Sequence, residues 1–176
     1  MKKERTLLFQ LVFTALSMAI VCVGTMAIQI PIPLGYMHFG NICILLVSTY
    51  LNPTSAFLAS GVGSALSDLL SGYPQWIIPT LIIKGIMGLC ISLISHEKSN
   101  ISPVFCLKNA IATFTGILIM IMGYFIAGIA LYGSIYTSAA QIPGLCTEGV
   151  FGLIGYYILG FALEKAHFKK LFSFGS

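Results

Sequence analysis

Charge is what this sequence most lacks. Asp, Glu, Lys and Arg make up 8% of its 176 residues, against 57% apolar residues. A soluble domain carries about 25% charged residues, so a chain this poor in charge is not dispersed in water and its solvent is lipid. Paired cysteines are missing too. Cys22, Cys43, Cys90, Cys106 and Cys146 stand singly, with no C-x-x-C. That argues against zinc, an iron–sulfur cluster or a disulfide framework, and the thiols read as small apolar packing residues. There is no H-x-x-x-H, paired-carboxylate box, P-loop or G-x-S-x-G. No metal or cofactor is therefore expected, and an ATP-driven motor has to come from other chains.

The charges that do occur are informative by position. Eight of the nine basic residues fall in three places: Lys2, Lys3 and Arg5; Lys98 and Lys108; and Lys165, Lys169 and Lys170. Unbroken apolar runs rich in Leu, Ile, Met and Ala separate them, which disfavours a β-barrel. A helix needs about 20 apolar residues to cross a core of about 30 Å, so one domain of this length holds five to seven spans. The pattern predicts an all-α membrane protein of six transmembrane helices, at about 6–28, 39–51, 53–70, 76–95, 103–131 and 142–163. Six spans keep both termini and segment 96–102 in the cytoplasm and leave the three outer loops without Lys or Arg. This placement accounts for the net charge of +4 without a nucleic-acid partner. The first apolar run continues past Gly24 to Ile28 with no small-x-small cleavage site, so it reads as a retained span.

Local signals set the breaks. Pro31 and Pro33 cannot continue a helix, so 30–38 is an extended outer loop. Its Ile30, Ile32, Leu34, Tyr36 and Met37 fold it back over the protein. Asn52 and Pro53 stop the second span and suit the N-cap and N1 positions of the third. Small residues recur at helical spacing: Ala15 with Ala19, Gly61 with Ala65, Gly85 with Gly88, and Gly149, Gly152 and Gly155. In lipid they let backbones approach closely. Most read as internal packing, whereas Ala15 and Ala19 equally suit docking of another membrane protein.

Three ionisable residues lie inside spans, where a charge costs about 2.5–3.5 kcal/mol on insertion scales. Lys84 is eight residues below Trp76 and Glu148 seven below Gln141, so both sit about 10–12 Å below the outer face. This predicts a polar chamber in the outer half. The two side chains either line a ligand site or form a buried pair that fixes packing. Asp68, near the outer end of the third span, either joins the chamber or caps the turn at Gly72 and Tyr73. His38, Asn41, Tyr73, Trp76 and Gln141 fall at the same end, and Asn109 does not. An interfacial aromatic belt explains Tyr73. It explains Trp76 less well, since this single tryptophan opens the span that carries Lys84. His96 and His167 read as solvated cytoplasmic residues.

Three stretches carry a family resemblance: LGYMHFGN at 34–41, GVGSALSDLLSGYPQW at 61–76 and PTLIIKGIMG at 79–88. With the chain length and span count, they resemble the substrate-binding (S) components of energy-coupling factor (ECF) vitamin transporters, in particular the hydroxymethylpyrimidine or pyridoxine-like group. The resemblance implies capture of a vitamin or precursor from outside, in the cytoplasmic membrane of a bacterium. It also implies docking, through the Ala15/Ala19 surface, on a transmembrane coupling subunit driven by two ATPases. The family's site lies under the loop between spans one and two, at the chamber expected from charge placement. Selectivity would come from stacking on Trp76 with Tyr36 or Tyr124, and from hydrogen bonds to His38, Asn41, Lys84, Gln141 and Glu148. Relatives often carry Asp where this chain has Asn41 and Gln near Glu148, and an acid at that last position suits a cationic or amine-bearing ligand. A self-sufficient secondary transporter would show inverted repeats, and no 3+3 repeat is evident. A membrane enzyme would need convergent His and carboxylates, whereas the three histidines fall on both sides, so no enzymatic activity is expected.

Overall fold

The computed structural model describes residues 2–32, 35–97, 100–101 and 103–166. Its elements are α1 (Lys2–Ala27), β1 (Gln29–Ile32), β2 (Gly35–His38), α2 (Gly40–Tyr50), α3 (Pro53–Leu70), α4 (Ile77–Ser95), β3 (His96–Glu97), β4 (Asn100–Ile101), α5 (Leu107–Tyr132), α6 (Ile135–Ala139) and α7 (Ile142–Lys165). A 3-10 turn at Pro74–Trp76 leads into α4. Four stretches are long and apolar enough to cross a membrane by length and composition: Leu7–Ala27, Pro74–Ser95, Leu107–Tyr132 and Ile135–Lys165. The eleven residues of α2 reach only about 16 Å, and α3 is weighted toward serine, glycine and alanine.

Capping chemistry places the boundaries. The Asn52 side chain accepts the Ser55 N–H at 2.9 Å with Pro53 at the first helical position, so α3 starts where Asn-Pro predicts. It ends ahead of Gly72, whose φ of 82° is easy only for glycine. Gly133, at φ 66°, closes α5 in the same way. The expected span at 103–131 starts four residues early. Pro103 to Cys106 form a turn instead, held by Asn109 Nδ2 on the Pro103 carbonyl at 2.8 Å and by the Cys106 thiol accepting the Asn109 N–H at 3.4 Å. Within the loop expected to be extended, the described residues 29–32 and 35–38 form an antiparallel pair of strands, Gln29 opposite His38 and Pro31 opposite Tyr36. The α6 turn has no apolar periodicity to announce it. His96 is half-buried rather than solvated, with Nδ1 3.0 Å from the Ser92 carbonyl. Pro33, Leu34, Lys98, Ser102, His167, Lys169 and Lys170 lie outside the described residues.

Close backbone approach packs the bundle. A Cβ on Gly61 would fall 2.7 Å from the Leu81 carbonyl oxygen, and one on Gly88 2.7 Å from that of Ala56. The bland reading of these glycines, internal packing between α3 and α4, is therefore how they are used. On α1 the polar side turns inward. Thr14, Ser17 and Thr25 are buried, while Leu7, Leu11, Leu16, Ile20 and Val23 are exposed. Ala15 and Ala19 lie on that exposed face. The interior combines Val21, Ile44, Leu45, Met87, Ile91, Met120 and Tyr156 with buried Ser48, Ser60, Ser92 and Thr113. This arrangement suits apolar surroundings, where small and hydroxylated residues join helices and large aliphatic side chains face out.

Candidate functional site

Helical spacing alone aligns several of the polar side chains. Trp76, Thr80 and Lys84 recur every four residues and so share one face of α4, as do Met120 and Tyr124 on α5. Lys84 lies seven residues into α4 and Glu148 six into α7, about 10 Å along each axis. Both helices start at the end of the bundle that carries the β1–β2 hairpin, and the side chains meet. Lys84 Nζ is 3.4 Å from Glu148 Oε1, with the lysine 0% and the glutamate 2% exposed.

Three more elements complete the cluster. The first turn of α2 supplies Asn41, fully buried, whose Oδ1 accepts from Lys84 Nζ at 2.6 Å. Its Nδ2 faces the Met120 sulfur at 2.9 Å. From β2, His38 Nε2 lies 3.5 Å from the same Glu148 oxygen, while its Nδ1 accepts the Gly40 N–H at 3.0 Å. That acceptor role puts the ring proton on Nε2, toward the carboxylate. Burial, reinforced by the Lys84 charge, pushes the His38 pKa well below its usual value, so the imidazole is neutral. Lys84 Nζ also stands 5.4 Å from the centre of the Tyr124 ring, within cation–π range. The Tyr124 hydroxyl meets Thr80 Oγ1 at 3.0 Å, and its ring lies 5.5 Å from Trp76.

Asp68 belongs to this neighbourhood rather than to the turn that follows it. Its main-chain carbonyl accepts the Tyr73 N–H, but its carboxylate Oδ1 accepts the Tyr36 hydroxyl at 2.7 Å. With Gln29 Nε2 on Ser71 Oγ at 2.7 Å, this bond fastens the hairpin over the end of α3. Burial and then the Asp68 charge push the Tyr36 phenol well above its usual pKa, so it remains a donor. The hairpin thus places the Tyr36 hydroxyl on Asp68 as a donor and the His38 Nε2 3.5 Å from Glu148.

The structure therefore brings together His38, Asn41, Trp76, Lys84, Tyr124 and Glu148. The Gln141 Nε2 is held by the Tyr124 carbonyl at 3.1 Å and Ser138 Oγ at 3.2 Å, tying α5 to the start of α7. Asn109 lies at the opposite end, in the first turn of α5, bonded back to Pro103. Sequence reasoning missed Thr80 and Met120, which the four-residue spacing from Trp76, Lys84 and Tyr124 would have flagged. It also missed the Tyr36–Asp68 bond, which no local signal encodes. Among the described residues no group of His, Cys, Asp and Glu is arranged to hold a metal ion.

Known proteins resemble this chain in sequence and in fold. A sequence model of the family described as ECF-type riboflavin transporter, S component, matches residues 7–165. A Pyrococcus woesei protein described as "Uncharacterized protein in gap 3'region" is 36% identical over 147 residues, covering 82% of this chain and 95% of its own. A solved structure, described under "Structure and mechanism of the S component of a bacterial ECF transporter", superposes with a TM-score of 0.67. It covers 89% of this chain and 95% of its own at 20% identity, a likeness of fold.

Proposed function

The chain belongs to the ECF-type riboflavin transporter S component family, and from that premise we propose that it is a six-span vitamin-binding subunit with both termini in the cytoplasm. Members of this family are substrate-binding transporter subunits, not enzymes. They dock on a module with ATPases. In this reading α1 to α5 and α7 are the six spans of a single domain in the cytoplasmic membrane. The hairpin end faces outside and the β3–β4 end faces inside. A transmembrane coupling subunit sits against the exposed Ala15/Ala19 face of α1, and two ATPases drive it.

The observation that carries the binding role is the convergence of Asn41, Lys84, Glu148 and His38 from four separate elements beside the Trp76–Tyr124 pair. A purely structural ion pair does not require an aromatic wall, a covering hairpin and a third polar partner. The preferred substrate is a single-ring vitamin or precursor such as hydroxymethylpyrimidine or pyridoxine. The preference rests on the resemblance carried by 34–41, 61–76 and 79–88; the cleft lined by Ile30, His38, Phe39, Glu148 and Phe151 is only about 10 Å³ and does not choose between one ring and three. Riboflavin is the second reading, favoured by the family's own description.

The test is thermal stabilisation of the detergent-purified chain by hydroxymethylpyrimidine, pyridoxine, pyridoxamine and riboflavin, one at a time. One-to-one stabilisation by a single-ring compound without partner chains supports the first reading, and stabilisation by riboflavin alone supports the second. No response to any compound, together with ion-coupled uptake by the lone chain in vesicles, would overturn both.

A further inference from the structure

Two carboxylates and one ammonium are buried around the proposed site, and they do not balance. Lys84 is matched by Glu148 at 3.4 Å and held by Asn41 at 2.6 Å. His38 is neutral, with Nε2 3.5 Å from Glu148 Oε1. Asp68 is left over. It is 6% exposed, and Tyr36 occupies Oδ1. Its Oδ2 is buried with no hydrogen-bond partner among the described residues. The Thr80 hydroxyl is a side-chain donor within reach of the same carboxyl, and it also meets the Tyr124 hydroxyl at 3.0 Å, where either oxygen can donate. Asp68 is electrostatically coupled to Lys84, Tyr124 and Glu148. A buried carboxylate oxygen without a donor is costly, and a bound donor group relieves that cost.

We infer that Asp68, and not Glu148, meets the positive charge of the ligand, and that the ligand is a planar nitrogen heterocycle bearing a protonated amine. This rests on the site being a ligand site and specifies its substrate class. Glu148 is the acid that stands out in sequence because the resembling family tends to carry Gln near it. Its charge is already spent on Lys84, so adding a cation beside that pair brings like charge against the ammonium. Asp68 offers a charge-assisted acceptor whose other oxygen is already oriented by a phenol. The aromatic side chains linked to Tyr36 and to Thr80 suit a flat cation. Tyr36 packs 4.8 Å from Tyr73 and 5.5 Å from His38, and Trp76 lies 5.5 Å from Tyr124, an aromatic setting of the kind that stacks on flat rings and attracts cations.

The experiment compares matched pairs that differ by CH2NH3+ against CH2OH: pyridoxamine with pyridoxine, and the aminomethyl with the hydroxymethyl form of the aminopyrimidine. Affinities are measured by calorimetry at pH 7.5 on the wild type, Asp68→Asn, Asp68→Glu and Glu148→Gln. The aminated member should bind the wild type at least about tenfold tighter, the ratio a charge-assisted hydrogen bond commands. That ratio should collapse in Asp68→Asn and persist in Asp68→Glu and in Glu148→Gln, whatever their absolute affinities. Equal binding of the two members by the wild type overturns the inference. So does loss of the ratio in Glu148→Gln with retention in Asp68→Asn. Should Asp68→Asn fail to fold, the Asp68→Glu and Glu148→Gln ratios still decide, because a role for Glu148 predicts loss only in the latter. Binding of riboflavin with none of the four probes sinks this inference and leaves the transporter role intact. No binding at all sinks both.

Discussion

Removing Lys84 tests the central pair most directly. At 3.4 Å and an effective dielectric of about 20, the gross attraction of Lys84 and Glu148 is about 5 kcal/mol. Desolvation of both charges offsets most of it, so the pair is worth little net, yet truncating one partner strands the other at about 3–5 kcal/mol. The two truncations are not equivalent. Lys84→Met leaves Glu148, among the described residues, with the neutral His38 at 3.5 Å. Glu148→Gln leaves Lys84 with Asn41 at 2.6 Å and the Met120 sulfur at 3.2 Å, and with the Asp68 charge nearby. Lys84→Met is therefore expected to cost the full amount, on the order of 10 °C in Tm, and Glu148→Gln about half. The double variant should cost less than the sum by well over the ~0.5 kcal/mol scatter of independent sites. Intrinsic fluorescence in detergent reads this out, since the single tryptophan lies 5.5 Å from Tyr124 in the same cluster. Additive single effects, or a larger loss in Glu148→Gln, would refute the reasoning.

Other expectations follow from neighbouring geometry. Tyr36→Phe removes the donor to Asp68 and should cost about 1–3 kcal/mol, with faster amide exchange across 29–38 as the specific sign that the hairpin has loosened. The His38 pKa is depressed in the fold, so the unfolded chain binds more protons below about pH 6.5. Stability should fall as pH drops through that range, and His38→Gln should flatten the difference in a thermal pH series. Gly61→Ala places a methyl 2.7 Å from the Leu81 carbonyl and should lower Tm by an amount corresponding to about 1–3 kcal/mol. Ala15→Leu with Ala19→Leu, on an exposed face, should leave Tm unchanged and abolish co-purification with the coupling subunit.

Much of the architecture is written in local chemistry. The start of α3 follows from Asn52 and Pro53, because one side-chain oxygen and one locked φ act within four residues. The end of the second span and the extended character of 30–38 follow from prolines. The start of α5 was misjudged because apolar residues such as Val104 and Phe105 resemble helix, whereas the turn there depends on Asn109 folding back to Pro103. The depth of Lys84 and Glu148 was legible for a similar reason. Rise per residue is a property of each helix alone.

Azimuth and neighbour order are not. Two residues at one depth on different helices face each other only if the intervening helices pack in one particular order. Close approaches at Gly61, Gly85 and Gly88 help to set that order for α3 and α4. Composition and spacing thus dictated lipid as the solvent, the helices and the level of the buried charges. Only the assembled bundle joined Lys84 to Glu148 across 64 residues and Tyr36 to Asp68 across 32, because those contacts arise from packing between distant segments, which no local propensity contains.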